Sequence, residues 1–361
     1  MTEQPPLPVP AGNILITNAH IFDPAEGLDM KGADLLIIDG VIRDIALTID
    51  APLGVETINA KGHLLLPGLI DCDFVDYDPI SALYGGITTL VTGKNTATNS
   101  DNYDQVMGPR LHCHANHQIE RPILASETGL ALAGDTANRM GLEGIAVDAE
   151  TNFLKQFPPK ATTLLGPMSS YFGLDHLRHM QDDGLIALTH PAYFSLNELA
   201  IVGYDTRAKF FPPLRLDFDR QGVIDALNDG TIKIIASGHV KTTRDDKSLP
   251  FAQAKAGMPA QTSMLTMLLE LTNTGASDLN SLLPLVTTNP ANHFDLPQGR
   301  LKAGTPGDVI LVDPTKPHRL LANHSRQGHR QEDIVCPLDR RPVQGCVIKT
   351  IINGHTVFER T

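Results

Sequence analysis

The side chains that could bind a metal ion come from three separate parts of this sequence. His112, His114 and His117 form an H-x-H-x-x-H pattern, Asp73 precedes them, and His239 follows a late apolar stretch. A strand would direct His112 and His114 to the same side, so these two imidazoles and the Asp73 carboxylate define a candidate metal site. The competing interpretation is that the clustered histidines are polar loop residues.

The composition is that of a soluble globular protein. The 361 residues are 42% hydrophobic and 19% charged, which suffices for one large domain and a smaller one. The formal net charge is −12 and the sequence has no cluster of Lys and Arg, which argues against nucleic acid or an anionic membrane as partner. The four cysteines have no C-x-x-C spacing, and no apolar run is long enough for a targeting or membrane segment. We therefore predict a cytoplasmic protein.

Short apolar stretches at both ends of the chain predict a shared β domain. Residues 14–16, 19–23 and 34–42 have β patterns, with Asp39-Gly40 as a hairpin turn, and residues 307–313 and 347–354 supply matching strands. We predict a flexible lead-in over residues 1–12, followed by a small β domain assembled from residues 13–62 and 300–361.

The central residues 63–299 alternate short apolar strands with helical stretches. This alternation predicts an α/β fold with a parallel sheet and, at this length, a TIM-type barrel. Candidate strands lie at residues 64–70, 86–92, 111–114, 162–165, 185–189 and 232–237. A complete barrel has eight strands, and the interval between the second and third candidates has no room for two βα units of ~30 residues each. We therefore predict a degenerate barrel that lacks about two βα units.

Several separated motifs resemble the amidohydrolase superfamily and, within it, the dihydroorotases. Residues 66–79 read Leu-Pro-Gly-Leu-Ile-Asp-Cys-Asp-Phe-Val-Asp-Tyr-Asp-Pro, where dihydroorotases read P-G-x-I-D-x-H-V-H-x-R-x-P. Further matches are Gly-Gly-Ile-Thr-Thr at 85–89, Met-Gly-Leu-Glu-Gly-Ile at 140–145, Phe-Pro-Pro-Leu-Arg at 211–215, Asp-Gly-Thr-Ile at 229–232, Asn-Pro-Ala at 289–291 and Gly-Arg-Leu-x-x-Gly from 299. The resemblance covers most of the chain and implies the barrel with its small β domain.

In the first-strand motif, other residue types stand at the positions where the resemblance expects metal-binding and substrate-binding side chains. The two zinc-binding histidines and the substrate-binding arginine correspond to Asp73, Val75 and Tyr77. A valine side chain offers a metal no lone pair, and a phenol with a pKa of ~10 is no permanent cation. Asn95 matches a substrate-binding asparagine and is a vestigial site residue, while His112 matches a zinc-binding histidine of the fifth strand.

The later strands show the same selective replacement. The resemblance aligns the sixth-strand histidine with Pro167, the catalytic aspartate with Gly238 and a substrate-binding histidine with Thr242. Glycine can neither bind a metal nor accept a proton. His239 is present, but beside this glycine we interpret it as a hydrogen-bonded structural residue. We therefore predict no catalytic residue, no cofactor and no bound metal.

Three functions are compatible with these residues. The leading prediction is a noncatalytic dihydroorotase-like chain of pyrimidine biosynthesis, similar to inactive chains that associate with the catalytic chain of aspartate carbamoyltransferase in a hetero-oligomer. The alternative is a metal-dependent cyclic amidohydrolase with a rebuilt mononuclear zinc site at Asp73, His112, His114 and His239. A third reading is a degenerate hydantoinase-type chain that acts as a scaffold for another partner.

Overall fold

The computed structural model describes residues 11–76, 78–92, 110–113, 119–120, 163–180, 185–321 and 334–360. The chain divides into two compact units. The first contains residues 1–115, 261–331 and 338–361, and the second contains residues 116–260 and 332–337.

The first unit contains an eight-stranded sheet whose strands come from both ends of the chain. The amino-terminal strands are β1 (Ile14–Asp23), β2 (Leu28–Ile38), β3 (Val41–Ala46), β4 (Glu56–Asn59) and β5 (Leu64–Pro67). The carboxy-terminal strands are β13 (Val309–Arg319), β14 (Pro342–Ile352) and β15 (His355–Glu359). The order is β15-β14-β13-β5-β1-β2-β3, with β4 beside β1. The predicted boundaries of a separate β domain, residues 13–62 and 300–361, are not tested by this sheet and remain a prediction.

The inward side chains of this sheet form one apolar cluster. It joins Ile14, Ile16 and Ile21 of β1 to Val309 and Leu311 of β13, all fully buried or nearly so. Two stretches predicted as separate strands, 14–16 and 19–23, are one strand with a register shift between Ile16 and Ala19. The Asp39-Gly40 hairpin is confirmed, because both residues have positive φ and Ile38 pairs with Val41.

Two parallel sheets contain the remaining strands. In the first unit, β6 (Leu69–Asp71), β7 (Ile87–Thr92) and β8 (Arg110–Cys113) are neighbours in that order. In the second unit, the order is β12-β11-β10-β9, from β9 (Ile119–Glu120), β10 (Thr163–Leu165), β11 (Leu185–Thr189) and β12 (Ile232–Ile235). All the pairings in both sheets are parallel.

Two details of the predicted strands are wrong. The stretch 64–70 is not one strand: β5 belongs to the terminal sheet, β6 belongs to a parallel sheet, and Gly68 separates them. A Cβ on Gly68 would lie 2.7 Å from Thr88 Cβ, with Oγ1 and Cγ2 closer still, so only glycine permits this close crossing. The prediction also omitted β9, because two residues are too short for a periodic pattern.

Short helices connect and flank these strands. The stretch after β6 forms a helix of six residues, Pro79–Tyr84. The other described α-helices are Tyr171–Met180, Pro191–Ser195, Asp217–Asn228, Arg244–Ser248, Met264–Asn273, Leu279–Leu282 and Thr288–His293. Among the described helices, none is long and apolar enough to cross a bilayer.

Candidate functional site

The first-strand motif ends in a buried group of acidic residues. Asp71 is the last residue of β6 and is fully buried. Gln261 Nε2 donates to Asp71 Oδ2 at 3.1 Å, and the Asp73 N–H donates to Asp71 Oδ1 at 3.4 Å. Asp73 is only 5% exposed, whereas Val75 is 56% exposed. The Asp71 carboxylate therefore holds the chain in position after β6.

Cys72, between the two carboxylates, is suited to packing and not to chemistry. Burial raises its pKa well above the ordinary value, and the charges of Asp71 and Asp73 raise it further. A thiolate is the form that binds metals and acts as a nucleophile, so this side chain stays a neutral thiol. Cys336 and Cys346 are also buried.

The end of the motif begins a helix. Asp78 is buried and accepts from the Ser81 N–H at 3.1 Å and from Ser81 Oγ at 2.9 Å. This is an N-cap for the helix Pro79–Tyr84. Tyr77, which the resemblance aligns with a substrate-binding arginine, lies outside the described residues.

Gly238, at the position aligned with the catalytic aspartate, has no space for a side chain. Its φ is +63°, in the left-handed region that favours glycine. A Cβ built there would lie 2.6 Å from His190 Cγ and 2.7 Å from His190 Cε1, with Nδ1 closer still. The His190 ring therefore occupies the space next to Gly238 in the second unit.

His239 is held by the backbone of the second unit. Its side chain is 1% exposed, and the Ala260 N–H donates to Nδ1 at 3.2 Å. An imidazole nitrogen that accepts a hydrogen bond carries no proton, so the ring is neutral with its proton on Nε2. The His239 N–H donates to Ser237 Oγ at 3.0 Å. These contacts agree with the structural interpretation of His239.

Thr242, aligned with a substrate-binding histidine, is fully buried and makes a structural hydrogen bond. Its Oγ1 donates to the Val335 carbonyl at 3.0 Å, and the Val335 N–H donates to the Thr242 carbonyl at 3.2 Å. Thr243 and Ile334 form an adjacent antiparallel bridge. The hydroxyl therefore joins the loop after β12 to residues 334–335.

Pro167, aligned with the sixth-strand histidine, lies in a buried turn after β10. The next residue, Met168, donates its N–H to the Leu188 carbonyl at 2.8 Å, and Thr189 Oγ1 donates to the Met168 carbonyl at 2.8 Å. These bonds fix the turn to β11. The proline ring has no atom that could bind zinc.

The histidine cluster is described only in part. His112 lies on β8 opposite Val91 in the register, but its side chain is outside the described set. Asn95, His114 and His117 also lie outside the described residues. Within the part of the chain that the structure covers, no group of three His, Cys, Asp or Glu side chains could hold a metal ion. The zinc site implied by the resemblance is therefore not matched by the described residues.

Two structural features were not predicted from the sequence. The contact between Gly238 and His190 joins residues far apart in the chain, and no local pattern indicates it. Lys247 is 6% exposed, and its Nζ donates to the carbonyls of Lys255 at 2.7 Å and Gly257 at 2.8 Å. Burial lowers the pKa of Lys247 to about 8. A lysine in a polar stretch gives no signal of such burial.

The Phe-Pro-Pro-Leu-Arg motif is structural in the second unit. Tyr193 OH donates to the Pro212 carbonyl at 2.8 Å, and Arg215 Nε donates to Ser169 Oγ at 3.1 Å. The Arg215 carbonyl accepts from the Glu198 N–H at 2.8 Å. The motif thus joins two neighbouring connections of the unit.

Comparison with known proteins identifies the class. Residues 170–357, more than half of the chain, match the amidohydrolase family, and the chain belongs to that family. It is 27% identical to a dihydroorotase of Geobacter metallireducens over 96% of this chain and 100% of the relative. A Wolbachia dihydroorotase is 26% identical over 96% of each chain.

Solved structures show the same fold. A dihydropyrimidinase from Brevibacillus agri superposes with a TM-score of 0.76 at 18% identity, covering 96% of this chain and 95% of that one. An L-hydantoinase from Arthrobacter aurescens superposes with a TM-score of 0.77 at 17% identity, covering 96% of each chain. The α/β amidohydrolase fold expected from the sequence is thereby confirmed.

Proposed function

We propose that this chain is a noncatalytic, dihydroorotase-like subunit of pyrimidine biosynthesis that supports the assembly or activity of aspartate carbamoyltransferase. The observation that carries the proposal is the environment of Gly238. Hydrolysis of a cyclic amide needs a group that moves a proton, and the resemblance places that group at this position. Glycine has no such group, and the His190 ring leaves no space for one.

The other aligned positions support the same conclusion. The Thr242 hydroxyl is used in a buried backbone contact, and Pro167 lies in a turn fixed to β11. Val75 is an exposed apolar side chain. The side chains of Val75 and Pro167 offer a metal no lone pair, and Thr242 has no positive charge for a carboxylate substrate, because its uncharged hydroxyl donates to the Val335 carbonyl. A protein that keeps the fold while these positions are replaced fits a role in binding another chain.

The length of the chain supports the absence of about two βα units. The alignment with the Geobacter dihydroorotase has 429 positions, and 96% of 361 residues is about 347, so about 82 positions (429 − 347) have no counterpart here. This corresponds to between two and three βα units of ~30 residues. In the first unit, β7 pairs directly with β8, from Thr89 with Arg110 to Thr92 with Cys113. That pairing would supply β7 with its neighbour in a barrel that lacks two βα units.

The proposal is tested by capturing this protein from its own cells and assaying the eluate for aspartate carbamoyltransferase. We expect that activity to be retained with the protein in a fixed ratio. A protein that elutes alone, with all the carbamoyltransferase activity in the flow-through, would contradict the proposed partner.

The second candidate is a cyclic amidohydrolase with a rebuilt mononuclear zinc site. It is favoured by the relatives, which are named dihydroorotases and hydantoinases. Asp73, His112, His114 and His239 are its candidate ligands. Its test is metal content together with hydrolysis of dihydroorotate or a hydantoin after zinc is added. One zinc per chain with turnover would favour this candidate, whereas a metal-free protein that stays folded and inactive would exclude it.

A further inference from the structure

Exposed aromatic side chains in the second unit surround a lysine. Tyr204 is 57% exposed, Phe211 49% and Leu249 48%. Phe251, two residues after Leu249, and Lys209 are half-buried. We refer to Tyr204, Lys209, Phe211, Leu249 and Phe251 as the aromatic–lysine face. Contiguous exposed apolar surface is uncommon in monomers and marks places where another molecule binds.

Two of the three rings of this face lie near the lysine, and the third ring contacts one of them. The Tyr204 and Phe251 rings meet edge to face, with centroids 6.1 Å apart. The Lys209 ammonium lies 5.7 Å from the Phe251 centroid and 6.0 Å from the Phe211 centroid. Such placements are weakly attractive cation–π contacts. They hold the charge at the surface between two apolar side chains.

Lys209 has spare capacity for an anion. Its Nζ donates to the Ala252 carbonyl at 2.9 Å. Among the described residues, no carboxylate lies within ion-pairing distance of this ammonium. An ammonium has three donors, so further donors remain for a carboxylate from another molecule.

The backbone beneath the face is fixed by hydrogen bonds, several of them partly buried. The Gly257 N–H donates to the Lys209 carbonyl at 2.9 Å, and Lys247 Nζ donates to the Lys255 and Gly257 carbonyls. Thr206 Oγ1 donates to the Lys247 carbonyl. Because these bonds order the face before any partner arrives, binding there loses little conformational entropy.

The local charge of this region is opposite to that of the whole chain. Besides the buried Lys247, residues 199–211 and 241–257 carry five cationic and three acidic side chains, a balance of +2 in a chain of −12: Arg207, Lys209, Lys241, Arg244 and Lys255 against Asp205, Asp245 and Asp246. The sequence shows no basic cluster, because the fold brings two separate segments together through the Gly257–Lys209 and Thr206–Lys247 contacts. Charge complementarity favours an acidic partner. A second copy of this acidic chain is disfavoured by self-repulsion.

We propose that the aromatic–lysine face binds a segment of a partner protein that presents a carboxylate next to apolar side chains. The carboxylate pairs with Lys209, and the apolar side chains pack on Tyr204, Phe211 and Leu249. Tyrosine and other aromatic residues at the centre of an interface carry much of its binding energy. This inference rests on the proposed function, because it states which surface of the chain receives the partner.

The experiment measures binding of the full-length protein to the aspartate carbamoyltransferase catalytic chain from the same cells. Lys209→Glu reverses the charge, and Tyr204→Asn removes a ring at a position whose φ of +59° asparagine tolerates. The matched controls are Lys61→Glu and Leu53→Ser, which make equivalent changes at exposed positions of the first unit. Circular dichroism and thermal melting confirm that each variant is folded.

We expect each face variant to weaken binding at least ~10-fold and each control to change it less than about twofold. Added salt should weaken binding of the wild type more than binding of Lys209→Glu, because the variant lacks the attractive charge. If the wild type binds and both folded face variants bind equally well, this surface is the wrong one and the proposed function stands. If the wild type does not bind at all, the proposed function is overturned, and this inference is overturned with it.

Discussion

The substitution Gly238→Ala tests the geometry of the candidate site directly. The new Cβ would enter a left-handed backbone position and meet the His190 ring, whose Cγ and Cε1 lie 2.6 and 2.7 Å away. Real carbon atoms do not approach so closely, so the ring or the loop after β12 must move. Gly203 is the matched control, because it also has a positive φ, +76°, but nothing lies within 4 Å of its Cβ position.

The two substitutions separate backbone strain from the ring contact. An L-residue in the left-handed region costs roughly 1–2 kcal/mol, and this is all we expect for Gly203→Ala. Forcing a methyl group into a filled space adds about 1–3 kcal/mol. We therefore expect Gly238→Ala to lower the free energy of unfolding by about 2–5 kcal/mol.

The assay is equilibrium urea unfolding of both variants, compared at equal m values. A double-mutant cycle with His190→Ala measures the contact itself, because this second substitution removes the ring atoms that the Cβ would meet. We expect the cost of Gly238→Ala to fall in the His190→Ala background toward that of Gly203→Ala. The reasoning is refuted if Gly238→Ala costs no more than Gly203→Ala in the otherwise unchanged protein.

Three further substitutions test individual contacts. Lys247 has its pKa lowered to about 8 in the folded protein from 10.5, so the folded state binds fewer protons than the unfolded state between these pH values, and stability should rise with pH across that window. The difference in pKa corresponds to roughly 3 kcal/mol of stability before solvent screening and about 1–2 kcal/mol after it. In urea unfolding measured at pH 8 and 10.5, Lys247→Met should abolish this rise in the free energy of unfolding, whereas the exposed Lys61→Met should keep it. Thr242→Val should cost about 1–2 kcal/mol by leaving the Val335 carbonyl without its buried donor, and an unchanged urea midpoint would contradict that role. Asp78→Ala should cost about 1 kcal/mol through the lost N-cap, whereas Asp78→Asn should restore most of it.

Local sequence signals predicted the elements that local chemistry determines. Asp39-Gly40 forms its hairpin because both residues tolerate positive φ, and the alternating apolar residues of β1 and β13 are buried in one cluster. The six stretches proposed as barrel strands all contain strands. The limits of the strands differ from the predicted ones by a few residues. The first predicted stretch is divided at Gly68, which is in close contact with Thr88. This contact depends on the tertiary fold and therefore has no local sequence signal.

The site was harder to predict because its decisive contacts are distant in the sequence. Glycine at position 238 is visible in the sequence, but the ring of His190 beside it is not. Thr242 is separated from its acceptor Val335 by 93 residues. The acceptors of Lys247, the carbonyls of Lys255 and Gly257, are close in the sequence, but a lysine in a polar stretch gives no sign that its ammonium is buried. Sequence therefore indicated which residues are replaced, and the structure shows what fills their space.

The most direct test of the noncatalytic role is titration of the purified aspartate carbamoyltransferase catalytic chain with this protein. Molecular mass and carbamoyltransferase activity are followed together, and dihydroorotate hydrolysis is measured in the same samples with zinc added. The account predicts a complex of fixed stoichiometry, a saturable change in carbamoyltransferase activity, and no hydrolysis of dihydroorotate. Unchanged mass and activity, together with zinc-dependent hydrolysis by this protein, would contradict it.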